Sequence, residues 1–487
     1  MVLLPSNRPE EAELTLFVFP HSVYDRFPDK MLANLASSLG EVSVQRTHIT
    51  LLLSVLAGLG IFYGTDLDLQ LRIGLAILAS VALLWMTETF HITVTALLVP
   101  ILAVVTGVFS VADAMKNFAN PIIFLFLGGF ALASALHKQR LDERIAGLVI
   151  RAAQGRMLVA SVLLFFTAAF VSMWISNTAT TAMMLPLALG MLSRMPYEQN
   201  RNTYWFVLLG VAYSANIGGI GTLVGSPPNA IAAAAVGISF AQWMKIGIPA
   251  VLVMFPVMLL LLWIVFRPDL SRKFEMDNDA KPMGAEQWLT LAVFIVTVAL
   301  WLFSKPVSQF IGVNKGFDAM VALLAIVLLC ALKLVNWKDI EQSADWGVLL
   351  LFGGGLTLSA VLKSTGTSVF LAESISGFLE GAPLIVFMLV ITAFVVMLTE
   401  IASNTASSAL LVPIFVSIAQ AMGLSPVVLA AVIAISASCA FMLPVATPPN
   451  AIVFGSGYVP QGQMMRAGAL LNVTMILLIG FASWIML

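Results

Sequence analysis

Two short polar triplets carry the groups in this 487-residue chain that are best suited to bind ions. Ser176-Asn177-Thr178 lies inside the apolar run 158–192, and Ser403-Asn404-Thr405 lies inside the run 384–421, an offset of 227 residues. Hydroxyl and amide hydrogens suit an anion, and hydroxyl and carbonyl oxygens suit a cation. Each triplet is followed by a second interruption: Gly225-Ser226-Pro227-Pro228-Asn229 in the first half, Ala446-Thr447-Pro448-Pro449-Asn450 in the second, with the asparagines 221 apart. Gly128-Gly129 and Gly353-Gly354 echo one another at 225. Three landmarks in one order at nearly one offset are an internal repeat. Prolines and glycines inside a span free backbone carbonyls, which suit a hard cation such as Na+, and expose helix N-termini, whose partial positive charge suits an anion. No charged side chain lies in 158–192 or 203–241, and Glu400 alone lies in the second-half counterparts. With no Arg or Lys at the tips, a bound dianion would need two or more cations beside it.

The elements that must hold these groups are membrane helices. The chain is 60% hydrophobic and 10% charged, against about 25% charge in a soluble domain. The apolar runs lack the period-two alternation of a membrane barrel. The fold class is therefore an all-α membrane protein. Residues 1–46 read as a cytoplasmic segment at the membrane surface. Eleven spans are expected, at about 48–64, 71–88, 91–109, 118–138, 203–235, 241–266, 287–304, 317–335, 347–364, 426–456 and 464–486. Stretches 139–153 and 367–381 read as interfacial. A continuous helix over 158–193 would measure about 54 Å, far beyond a bilayer core of about 30 Å, so the run must break at its polar triplet. Arg151 and Arg156 precede it and Arg194 and Arg201 follow it. Basic residues favour the cytoplasm, which makes the run a re-entrant helical hairpin. The run 384–421 reads as its counterpart. Five crossings per repeat invert the second copy, and no basic residue occurs from Ser364 to Gln463 to contradict that. Inverted repeats with broken helices at the midplane are the architecture of secondary transporters.

The triplets, the hydroxyls four residues before them (Ser172 and Thr399) and the two Pro-Pro-Asn breaks resemble the divalent anion/sodium symporter family, and most of all its bacterial INDY-type sodium/dicarboxylate cotransporters. The likeness runs from about residue 47 to the end. It implies a multi-pass protein of the bacterial inner membrane, in contact with lipid and assembled as a homodimer. It also implies a scaffold (47–153 and 241–383), a transport part that moves as an elevator (154–240 and 384–463) and a last helix (464–487). By the same resemblance one sodium site falls on Ser172, Ser176, Asn177 and Gly225, and another on Thr399, Ala402, Asn404 and Ala446. Substrate carboxylates fall to Ser176, Asn177, Thr178, Ser226, Ser403, Asn404, Thr405 and Thr447, with Pro448 lining the pocket. The implied activity is Na+-coupled uptake of C4 dicarboxylates such as succinate, malate and fumarate.

Other readings stand beside it. A sodium-independent dicarboxylate exchanger, or a symporter of another divalent anion such as citrate or sulfate, fits the same residues. A channel would conduct without saturation. No His-Glu-x-x-His or Gly-x-Ser-x-Gly motif supports an enzyme, and no basic cluster supports nucleic-acid binding. The glycine pairs read as close helix packing, Trp174 as packing, Glu400 as support for the second tip, and Cys330 and Cys439 as buried thiols.

Overall fold

Among the residues that the computed structural model describes (29–193, 195–271, 282–313, 315–378 and 383–486), every regular element is a helix. The expected surface segment at residues 1–28, Arg194, the basic loop residues Arg272, Lys273 and Lys281, and Glu380 lie outside the described residues.

The first half runs α1 (Asp29–Gly64), α2 (Leu69–Met86), α3 (Ile92–Val105), α4 (Val111–Met115), α5 (Pro121–Lys138), α6 (Leu141–Ala152), α7 (Met157–Ser172), α8 (Asn177–Leu192), α9 (Tyr197–Gly218), α10 (Pro227–Val236) and α11 (Phe240–Phe266). The second half runs α12 (Ala285–Leu302), α13 (Ser304–Ile311), α14 (Phe317–Ala331), α15 (Trp337–Ser343), α16 (Trp346–Ser364), α17 (Thr367–Phe378), α18 (Leu384–Thr399), α19 (Asn404–Ala421), α20 (Pro426–Ala437), α21 (Pro448–Gly455) and α22 (Gln461–Met486). From α3 and α14 onward the two halves have the same order of elements. Both stretches expected at the interface are helices, α6 and α17. Helix α1 joins the second part of the expected surface segment to the first span without a break.

Nine helices among the described residues are long and apolar enough to cross a membrane. Three of the eleven expected spans fall on shorter helices instead: α3, α14 and α20, of 14, 15 and 12 residues. At 1.5 Å per residue none of these crosses about 30 Å alone. Early turns cut two of them short, with positive φ at Gly107 after α3 and at Lys333 after α14. One of the nine, α19, was expected as a hairpin leg rather than a crossing.

The halves exchange partners. Helix α5 of the first half packs on α14 of the second, and α3 packs on α16. The glycine pairs make these approaches possible: a Cβ added to Gly128 would lie 2.5 Å from the Ala322 Cβ, and one on Gly354 would lie 2.5 Å from the Ala96 carbonyl oxygen. Small residues let helix backbones meet where lipid supplies no hydrophobic drive. The same exchange recurs around the breaks, with α8 against α21 and α19 against α10. Helix α9 lies at the centre of the bundle, with 94% of its span buried, whereas α11 and α12 are 22% buried and present apolar side chains outward.

Candidate functional site

Both triplets interrupt their runs as the length argument requires. Helix α7 ends at Ser172 and α8 begins at Asn177 with Ser176 as its N-cap, the Ser176 hydroxyl accepting from the Ala179 N–H at 3.3 Å. Helix α18 ends at Thr399 and α19 begins at Asn404 with Ser403 at the cap position, where its side chain makes no cap bond. Serine before a helix is a favoured cap because its oxygen accepts one of the N–H groups that the first turn leaves unpaired. Ser176 and Thr178 are exposed, while Asn177, Ser403, Asn404 and Thr405 are half-buried.

At the first tip, Ser172 Oγ lies 2.5 Å from the side-chain amide of Asn177. That amide has two useful orientations. With its nitrogen inward it donates to Ser172 Oγ and to the carbonyls of Ala215 and Gly225, at 3.2 and 3.3 Å. With its oxygen inward, Asn177 Oδ1 accepts the one hydrogen of Ser172 Oγ and meets the Ala215 and Gly225 carbonyls with no hydrogen between them, so that four oxygens converge in the donor set a hard cation takes. At the second tip, Thr399 Oγ1 lies 2.6 Å from Asn404 Oδ1 and 2.8 Å from the Ala437 carbonyl. Each tip thus joins a hydroxyl, an asparagine amide and a carbonyl from the end of the neighbouring buried helix. Ser172, Asn177 and Gly225 come together as the sequence reading requires, as do Thr399 and Asn404. Ala402 and Ala446 are buried.

The Pro-Pro-Asn breaks are built alike. The prolines occupy the first two positions of α10 and α21, where an N–H would have no helical partner. The asparagine that follows turns back on the unwound segment. Asn229 Nδ2 donates to the Gly219 and Thr222 carbonyls at 2.8 and 2.7 Å, and Asn450 Nδ2 donates to the Ala440 and Leu443 carbonyls at 3.1 and 3.0 Å. Carbonyls freed by a broken helix must find partners when buried, and these amides supply them. Ser226 and Thr447 are buried at the N-caps of α10 and α21, and Pro448 is exposed. Asn216 of α9 ties the halves together, its Nδ2 lying 3.2 Å from Thr447 Oγ1.

Glu400 is 3% exposed and holds the second break. Its Oε1 accepts from the N–H groups of Phe441 and Met442 and from Asn472 Nδ2, and its Oε2 accepts from the Leu443 N–H, at 2.7–3.0 Å. Both of its oxygens are bonded within the protein. Trp174 packs on Phe240 and Phe294; both cysteines are free thiols, Cys439 buried as expected but Cys330 only half-buried. Sequence reasoning missed Ala215 and Ala437, which contribute only backbone, and Asn216. The available signal for Asn216 was an amide inside the uncharged apolar stretch 203–241.

The profile of the sodium:sulfate symporter transmembrane region matches residues 45–487. The chain belongs to this divalent anion/sodium symporter family. A transporter of Haemophilus influenzae is 48% identical over 92% of this chain and 100% of its own length. The sodium-dependent dicarboxylate transporter SdcS of Staphylococcus saprophyticus is 34% identical over 83% of this chain and 84% of its own. The crystal structure of the Alcanivorax borkumensis YdaH transporter shares the fold, with TM-score 0.54 at 14% identity over 77% of this chain and 86% of that one. The transporter described here is a multi-pass membrane protein and not an enzyme.

Proposed function

We propose that this transporter imports C4 dicarboxylates such as succinate, malate and fumarate, driven by Na+ bound at both tips. The observation that carries the reading is the recurrence of one oxygen cluster, Ser172–Asn177–Ala215 and Thr399–Asn404–Ala437, at equivalent places in the two halves. Two cations there would offset a dianion that no Arg or Lys meets. Four helix N-termini, at Asn177, Pro227, Asn404 and Pro448, add partial positive charge. The anion would meet Ser176, Asn177, Thr178, Ser226, Ser403, Asn404, Thr405 and Thr447 beside Pro448. The name of the staphylococcal relative supports both the cation and the substrate class.

In this reading the runs 157–192 and 384–421 are re-entrant hairpins of an inverted repeat in the inner membrane. They move with both broken helices as one elevator body against a scaffold, within a homodimer. Only backbone buried in protein or facing water survives at membrane depth, and this reading requires that of both tips.

Radiolabelled succinate uptake into proteoliposomes under an imposed Na+ gradient tests the reading. Wild type should concentrate succinate only with the gradient, and Asn177→Ala and Asn404→Ala should lose uptake while remaining monodisperse. Equal uptake without Na+ would favour the sodium-independent exchanger. Uptake of sulfate in place of succinate would fit the substrate in the family's name and reassign the anion.

A further inference from the structure

We infer that Asn216 is a positioning residue that fixes Thr447 as a hydrogen-bond donor to one end of the transported anion, and so makes the two ends of the substrate site unequal. The inference rests on the reading of Thr447 as an anion contact.

The argument follows the hydrogens. Asn450 commits both amide hydrogens to the Ala440 and Leu443 carbonyls, so its Oδ1 can only accept. That oxygen faces Asn216 Nδ2 at 3.5 Å. Asn216 is therefore held with its nitrogen toward Asn450, and the same nitrogen lies 3.2 Å from Thr447 Oγ1. Thr447 Oγ1 also accepts from the Asn450 N–H at 3.3 Å. A hydroxyl has two acceptor lone pairs and one hydrogen. With both lone pairs engaged, the Thr447 hydrogen must point elsewhere, and among the described residues it has no acceptor. An ionised carboxylate or another oxyanion supplies one. Asn216 itself is 1% exposed, and its Oδ1 has no partner among the described residues.

The equivalent serine of the first half is not preset in this way. Ser226 makes no side-chain cap bond, and Asn229 donates its backbone N–H to the Ser226 carbonyl instead. One end of the site thus meets a fixed donor and the other a hydroxyl free to turn.

Asn216→Asp is close to isosteric but presents only acceptors, so Thr447 would donate to it and be lost to the substrate. Asn216→Ala only releases the hydroxyl. Succinate KM should rise about tenfold or more in Asn216→Asp and about threefold in Asn216→Ala, while the half-saturating Na+ concentration stays within about twofold. Thr447→Val should match Asn216→Asp, and Asn216→Ala added to Thr447→Val should change nothing further. An unchanged succinate KM in Asn216→Ala, a Na+ shift as large as the succinate shift, or additive effects in the Asn216→Ala/Thr447→Val cycle would each overturn the inference. The Ala and Val variants carry the test if the buried Asp prevents folding. Wild-type vesicles that take up no dicarboxylate would overturn the underlying function, whereas wild-type uptake with an unmoved KM in the variants overturns only the role of Asn216.

Discussion

The two tips present the same groups but hold them by different means. At the first, glycines let backbone crowd against backbone. A Cβ on Gly218 would lie 2.1 Å from the Ala169 carbonyl oxygen, one on Gly219 2.3 Å from Asn177 Oδ1, and one on Gly225 2.8 Å from the Ser172 carbonyl oxygen. At the second, the corresponding positions are Cys439, Ala440 and Ala446. The backbone cannot approach as closely there, and the Glu400 carboxylate gathers the loop by three N–H groups and the Asn472 amide. The residue in the place of Glu400 at the first tip is Met173, whose carbonyl accepts from the Thr222 hydroxyl. The repeat therefore keeps the candidate ligating atoms more alike than the scaffolding behind them. One copy depends on the absence of side chains, the other on one buried carboxyl group.

Substitutions can break this contrast. Glu400→Ala should have the largest effect. It leaves the buried Phe441 N–H and Asn472 amide, and the half-buried Met442 and Leu443 N–H groups, without their acceptor, at about 1–3 kcal/mol for each buried donor, so the melting temperature of the purified protein should fall by several degrees. Glu400→Gln, which retains one acceptor oxygen, should recover part of the loss. Next is Gly219→Ala, whose methyl group displaces Asn177 at a cost of about 1–3 kcal/mol. Uptake at fixed Na+ should drop about tenfold, whereas Ala440→Gly at the second tip should change it by less than about threefold. A smaller effect is expected from the hydroxyls. Ser172→Ala and Thr399→Ala should each raise the half-saturating Na+ concentration several-fold, and Thr399→Ser should restore it, because only the oxygen is needed. The loss of one hydrogen-bonding oxygen corresponds to about 0.5–1.5 kcal/mol.

The smallest effect lies away from both tips, at the ion pair of Lys138 and Asp339 (2.5 Å), which joins the halves at the protein surface. The Asn336 N–H, and then Lys138, hold the Asp339 carboxyl below its usual range. A depressed pKa contributes stability that is complete above the unfolded value near 3.9 and fades as pH falls through the lower folded value. Asp339→Asn should therefore cost about 0.5 kcal/mol or less at neutral pH, and that difference should vanish in acid. A thermal-shift series across pH checks it.

Much of this was legible in the residues. The length limit of a bilayer placed both breaks at the triplets, and the structure ends α7 and α18 at Ser172 and Thr399. The repeat offset paired the hydroxyls, asparagines and Pro-Pro-Asn breaks. Other features were hidden because they belong to the backbone or to partners distant in sequence. Ala215 and Ala437 contribute carbonyls, and any residue type has one. The crowding at Gly218 and Gly219 depends on which helix faces them. The work of Asn229 and Asn450, binding carbonyls within their own segments, reads in sequence as a ligand motif as easily as a structural one. The short spans α3 and α14 were overestimated because hydropathy runs on past the turns at Thr106-Gly107 and Leu332-Lys333.

The central claim, that each tip holds its own cation, is tested most directly by equilibrium binding of radioactive sodium to the purified transporter. Wild type should bind at least two ions, Asn177→Ala and Asn404→Ala should each bind one fewer, and the double variant should lose both. Wild-type stoichiometry in the double variant would contradict the account.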